Sequence, residues 1–274
     1  MANYTAADIK EIRESTGAGM LDVKKALDEA GGDKAKAVEL IRVKGLKGIA
    51  KREGRTASEG LIAVDISDSE GGQTGTLVEL NSETDFVAKN EKFVALGDEA
   101  VAAVVESGAT EPADLASTPF GEALTNAGAT MGEKIEVRRI GRVSGEAVSS
   151  YMHRTSKDLP PQVGVLVASD KAGAEVARDV AMHIAAYSPS YLNREEVPEE
   201  IVADERRIAE ETAKAEGKPE KAIPKIVEGR LNGYFKENVL LDQPFAKDPK
   251  QSVGQVVEAA GGTITGFVRF RVGS

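Results

Sequence analysis

The sequence has no cysteine and no tryptophan, only two histidines, and an aromatic content of 4% over 274 residues. Without cysteine there is no disulfide, no thiolate metal site and no cysteine nucleophile, a usage that fits a reducing cytoplasmic setting. Two histidines, His153 and His183, exclude a histidine-rich metal centre. Sparse aromatics argue against a base-stacking surface for single-stranded nucleic acid. The longest apolar runs, such as Val163–Ala168 and Ala100–Val105, are far too short to span a bilayer. The opening MANYTAADIK lacks the cationic stretch and apolar run of a secretory signal.

Signatures of chemistry are missing too. There is no G-x-x-x-x-G-K-[ST]; Gly31–Lys34 and Gly128–Lys134 lack its spacing and its magnesium-binding hydroxyl, and both read as turns. There is no G-x-S-x-G elbow. His183 sits in an apolar helical stretch and reads as a packed core histidine. The net charge of −10 disfavours nucleic acid as the main ligand. These absences describe a binding protein with no covalent chemistry, no cofactor, no nucleic-acid ligand and no membrane span.

What is present divides the chain. Residues 1–45 read as three short helices: Thr5 with Asp8 starts the first, Gly17-Ala18-Gly19 breaks it, Gly31-Gly32 ends the second, and Asp33 caps the third. Residues 46–60, with Gly48 and Gly54 among Lys47, Lys51, Arg52 and Arg55, read as a solvated basic linker. From Leu61 the period becomes two. Leu61–Ser67 and Thr74–Leu80 bracket the turn Ser69-Glu70-Gly71-Gly72, and Glu111–Pro119 reads as a loop or helix start. Strand, turn, strand, helix appears over Leu61–Val104 and again over Ala147–Tyr187. This predicts two related α+β subdomains, 61–145 and 146–274, each a small antiparallel sheet with helices on one face. Residues 195–238 are charged, with sparse apolar spacing broken near Gly217-Lys218-Pro219, and predict an inserted antiparallel helical coiled-coil hairpin. Thr263–Val272 alternates as a final strand.

The most informative stretch is Thr76–Phe93, TLVELNSETDFVAKNEKF. It runs as a strand to Leu80, breaks at Asn81-Ser82, and resumes with helical spacing through Val87, Phe93 and Leu96. Ser82 followed by Asp85 reads as a capping-box-like helix start. Asp85 and Phe86 therefore fall at a strand-to-helix corner, either as cap and core or as side chains presented to a partner.

Thr84-Asp85-Phe86-Val87 at this corner, together with Arg13–Leu27 (RESTGAGMLDVKKAL), resembles the elongation factor Ts family in two long motifs in the right order, and the likeness extends to Gly266–Val272. The resemblance implies an N-terminal ubiquitin-associated-like domain, two related core subdomains and a projecting hairpin. It implies a guanine-nucleotide exchange factor for elongation factor Tu, one that binds its GDP-bound and nucleotide-free forms. Phe86 would act as a wedge with Asp85 beside it, on a corner shaped by Thr84 and Val87. Met131 and Gly132 would lie in an adjacent contact loop, Met131 replacing a commonly β-branched or aliphatic residue. Arg13, Met20 and Leu21 would dock on the partner, with core as the other reading of Leu21. Met152 and His153 would touch another part of the partner. The turn after His153, Arg154–Gln162, is longer than the family's short glycine-rich turn. Many members continue into a C-terminal helical module, whereas this chain stops at Gly273-Ser274; a lineage without the module, and a smaller interface, is the expectation. Whether the hairpin makes a homodimer of the complex stays open. Two other classes remain: a ubiquitin-like-binding adaptor built on residues 1–45, and an RNA-binding translation factor using Lys44–Arg55.

Overall fold

Alternating apolar residues on paired strands leave a sheet with two faces to cover, and the two three-stranded sheets of this chain cover theirs with helices on one side and each other on the other. The computed structural model describes residues 3–274 (49 and 50 by backbone alone). It begins with α1 (Ala6–Thr16), α2 (Met20–Glu29) and α3 (Lys34–Arg52). Thr5 and Asp8 close a reciprocal capping box on α1, and Asp33 caps α3 through the Lys36 amide. The three helices enclose their own core of Ile12, Val23, Ala26, Leu27, Ala37 and Ile41. The segment expected as a linker is helical over its first half, because α3 runs on through Gly45 and Gly48 to Arg52.

β1 (Glu59–Ser69) and β2 (Gly72–Ser82) form the expected hairpin. A single turn α4 (Asp85–Ala88) and the longer α5 (Glu91–Ser107) follow. Next comes α6 (Pro119–Met131), a helix where the sequence predicts only a loop or helix start up to Pro119 and a turn from Gly128. β3 (Glu136–Gly145) then returns beside β2, giving an antiparallel sheet in the order β1-β2-β3.

The second half repeats this plan. β4 (Ala147–His153) and β5 (Val163–Ser169) pair antiparallel, α7 (Ala174–Tyr187) follows, and the third strand arrives late. In between lie α8 (Glu199–Ala215) and α9 (Ile223–Asn238), the expected hairpin, joined by Ala209, Ala213, Ile223 and Val227. A small ribbon, β6 (Pro244–Phe245) with β7 (Asp248–Ser252), and α10 (Val253–Ala259) lead into β8 (Ile264–Arg271), which completes the sheet β4-β5-β8. The fold class is α+β, as expected.

The layers run helix, sheet, sheet, helix. Leu61, Ala63, Val78 and Leu80 face α5 and α6, whereas Val163, Val165 and Val167 face α7 and α10. Ile62, Leu77, Leu166, Ala168 and Phe270 fill the space between the sheets. Burial on both faces explains why β5 reads as an unbroken apolar run. Removing each Leu or Val of this layer from water contributes about 1.5–3 kcal/mol. Gly164 sets the close approach of the sheets, since a Cβ there would lie 2.6 Å from Ile62 Cγ2.

Two fully buried polar side chains, Glu79 and His183, are paired, whereas the fully buried Ser169 hydroxyl has no partner. Glu79, fully buried on β2, accepts from Arg139 Nε at 2.6 Å and from the Gly273 amide at 3.1 Å. His183 is fully buried, as its apolar surroundings implied, and lies 2.8 Å from Gln243 Oε1 through Nε2. Among the described residues no helix is long and apolar enough to cross a membrane.

Candidate functional site

The corner after β2 is built by a cap, a broken helix and one distant carboxylate. Thr84 has an extended backbone, and its hydroxyl accepts the Val87 amide, so Thr84 is the N-cap of α4. Ser82 does not cap: it is still paired with Glu59 across the hairpin, and its hydroxyl donates to the Thr84 carbonyl. The expected capping box of Ser82 with Asp85 is therefore replaced by a cap two residues later. The helix also breaks after one turn, because Asn90 caps α5 through the Lys92 amide.

This break decides what the side chains do. Val87 and Ala88 turn into the first core with Phe93 and Leu96. Phe86 turns out and is 80% exposed. The Phe86 ring therefore adds little to the core and stays available to a partner surface. Asp85 pairs with Lys89 at 2.7 Å, one helical turn on, and Lys89 Nζ also lies 6.0 Å from the Phe86 ring centre. The Lys89 ammonium holds the Asp85 carboxyl below the usual carboxylate range, and Asp85 in return raises Lys89. Asp85 thus stays ionised beside the exposed ring.

Glu133, just past the end of α6, fixes the backbone. Its Oε2 accepts the Glu83 and Thr84 amides, each at 3.0 Å, and its Oε1 accepts the Thr84 hydroxyl at 2.5 Å. Burial raises the Glu133 carboxyl, while the bonds from Thr84 and Glu83 oppose that shift. In return Glu83 accepts the Lys134 amide at 2.6 Å and pairs with Arg55 at 3.1 Å. No spacing in the sequence marks Glu133, which acts across some fifty positions.

The family model described as Elongation factor TS matches residues 83–274. A protein named elongation factor Ts from Beutenbergia cavernae is 64% identical over 281 residues, with 100% of both chains covered. Proteins of the same name from Micrococcus luteus and Renibacterium salmoninarum are 61% and 59% identical, again with 100% of both chains covered. The chain belongs to the elongation factor Ts family.

The elongation factor Ts family model thus spans the corner, α6, β3 and the second sheet, the full-length relatives span the rest as well, and the residues expected at the interface fall into three places. Met131 is buried under the first core, and Gly132 ends α6 in a left-handed conformation at φ +77°. They support the corner from behind. Arg13 is exposed on α1, and its carbonyl accepts the Gly17 amide at 2.7 Å. Met20 and Leu21 open α2 and are 57% and 71% exposed, so the core reading of Leu21 is not what the fold does. The Gly17 turn just before them lies against Met131 and Asn90: a Cβ on Gly17 would sit 3.0 Å from Met131 Cγ and 3.1 Å from Asn90 Nδ2.

Met152 and His153 end β4. Met152 is half-buried against the inter-sheet layer, and His153 is exposed with Nδ1 3.2 Å from the Tyr151 hydroxyl. The long turn after His153 folds back on the first subdomain: Leu159 packs on its core, the Pro161 carbonyl accepts the Ile62 amide, and Asp158 adds its charge near Lys89. The basic cluster is largely used internally. Lys44 pairs with Glu29, Arg52 donates to the Gly45 carbonyl at 2.6 Å, and Arg55 holds Glu83.

Proposed function

We propose that the chain is a guanine-nucleotide exchange factor for elongation factor Tu, which binds the GDP-bound form and releases GDP so that GTP can bind. The single observation that carries this reading is Phe86: a fully formed aromatic anchor, 80% exposed, on a backbone locked by Glu133. Aromatic anchors of this kind dominate interface energetics when they enter a partner pocket. Phe86 acts as a wedge between helices of the nucleotide-binding domain, and the ionised Asp85 beside it disturbs the magnesium side. Met20 and Leu21 dock on the same domain, and Met152 with His153 on the second subdomain meet another part of the partner. No covalent step is required of this chain.

The physical basis is linkage. A partner that prefers the nucleotide-free state must weaken GDP by the same factor by which GDP weakens the partner. The test is to measure the affinity of the chain for elongation factor Tu with saturating GDP and with no nucleotide. Tighter binding without nucleotide, by the same factor by which the chain lowers GDP affinity, is expected. Equal affinity in both states contradicts the reading, since a ligand with equal affinity for two states shifts nothing. Loss of RNA retention is not part of this reading, and salt-sensitive RNA binding abolished by removing Lys47 and Lys51 would favour the RNA-binding alternative instead.

A further inference from the structure

α3 crosses α6 where Gly45 meets Ala129. A methyl group on Gly45 would lie 1.7 Å from the Ala129 carbonyl oxygen and 2.3 Å from its carbon. Both are backbone atoms, so no rotamer change relieves the overlap. Beside the crossing, Arg42 Nε donates to Asn126 Oδ1 at 3.1 Å. The second seat of the N-terminal helices is the Gly17 turn on Met131 and Asn90. Between the two seats lies a cleft of about 190 Å³, lined in part by Asp22, Lys25, Arg52 and Thr130. The seam therefore has one backbone-to-backbone approach, Gly45 on Ala129, and a second seat where the Gly17 turn rests on the Met131 and Asn90 side chains. α6 ends one residue before Gly132, and Glu133 beyond it grips Thr84. One helix carries both the unit that bears Met20 and Leu21 and the corner that bears Phe86.

We propose that Gly45 is a positioning residue: its backbone seat on Ala129 fixes the distance between the Met20–Leu21 anchor and the Phe86 anchor, so that the two meet the partner as one pre-set surface. The effect on exchange rests on the function proposed above, whereas the seat itself does not. Fixing two anchors before binding removes an ordering cost that a hinged unit would meet at every encounter.

The absence of cysteine permits clean double labelling. Spin labels at Lys24→Cys and Lys92→Cys, both exposed positions outside the anchors, report the distance between α2 and α5 in the free full-length chain. The expected result is one narrow distance in the otherwise natural sequence and a broad or displaced one in Gly45→Ala. Gly48→Ala is the control: the nearest atoms to its methyl belong to the Arg52 guanidinium, the far end of a flexible side chain, so it can at most disturb the Arg52 bond to the Gly45 carbonyl and leaves the Gly45–Ala129 backbone approach intact, and both substitutions raise helix propensity alike. In GDP release from elongation factor Tu, Gly45→Ala is expected to raise the half-saturating concentration about tenfold, less than the loss of a whole anchor because Met20 and Leu21 are displaced and not removed. The maximal rate at saturation is retained, and Gly48→Ala leaves both quantities unchanged. A broad distance without any Gly45 substitution overturns the proposal even if Gly45→Ala fails to fold. An unchanged distance in folded Gly45→Ala overturns it as well, as does a lowered maximal rate with the half-saturating concentration intact. If the natural chain releases no GDP, the exchange reading fails and the distances alone decide the seat.

Discussion

Glu133 holds Thr84 at two points, accepting its amide at 3.0 Å and its hydroxyl at 2.5 Å. That double contact fixes the backbone at the end of β2, two residues before the exposed Phe86. Removing the carboxylate by Glu133→Ala leaves the part-buried Glu83 and Thr84 amides and the Thr84 hydroxyl proton without their acceptor, at a cost of about 1 kcal/mol or more. The expected outcome is lower stability in urea unfolding and slower GDP release at saturation, although Phe86 itself is untouched. Exchange at the natural rate in a folded Glu133→Ala chain would show that the corner backbone need not be rigid.

Arg139 and Glu79 make a second prediction, about stability alone. Glu79 is fully buried, and Arg139 Nε lies 2.6 Å from it. Arg139 also covers the Phe270 ring at 4.5 Å and donates to the Arg271 carbonyl at 2.8 Å. Arg139→Met strands the Glu79 charge and is expected to cost about 3–5 kcal/mol. Adding Glu79→Gln removes the stranded charge and is expected to recover part of the loss. A double-mutant cycle read by urea unfolding checks this, and strict additivity of the two changes would contradict it.

His183 sets a pH dependence. The Ala246 amide donates to its Nδ1 at 3.2 Å, so the proton sits on Nε2 and is donated to Gln243 Oε1 at 2.8 Å. Burial pushes the His183 imidazole below its ordinary value of 6.5. With the folded value depressed, the unfolded chain takes up a proton that the native chain refuses. Stability is therefore full above the ordinary histidine range and falls as pH drops through it. His183→Gln is expected to flatten the decline in urea midpoint between about pH 7 and pH 5. An unchanged slope would mean that other groups carry it.

Much of this architecture was legible in the sequence. Period-two runs on either side of Ser69–Gly72 marked the first hairpin, the repeated strand-turn-strand-helix pattern marked two small antiparallel sheets each followed by a helix, and sparse apolar spacing marked the α8–α9 helix pair. The failures are equally local. α3 passes through Gly45 and Gly48 because its seat on α6 outweighs the propensity cost of two glycines. α6 escaped because Gly121 and Gly128 interrupt the stripe of Phe120, Leu124 and Met131. The cap fell on Thr84 and not Ser82 because strand pairing with Glu59 holds Ser82 extended, a fact of tertiary register. At the site, the exposed corner was legible from its motif, but Glu133 was not. A lone carboxylate that bonds to amides some fifty positions away leaves no periodic trace.

The central claim is that Phe86 serves a partner and not the fold. It is tested most directly by the maximal rate of fluorescent GDP release from elongation factor Tu, measured with the natural chain and with Phe86→Ala whose urea stability is determined alongside. Truncating a side chain that is 80% exposed should change stability by no more than about 0.5 kcal/mol. Losing a hot-spot anchor of about 2 kcal/mol should slow exchange by roughly 30-fold or more. Undiminished exchange by Phe86→Ala, or a loss of exchange matched by unfolding of the chain, would contradict the account.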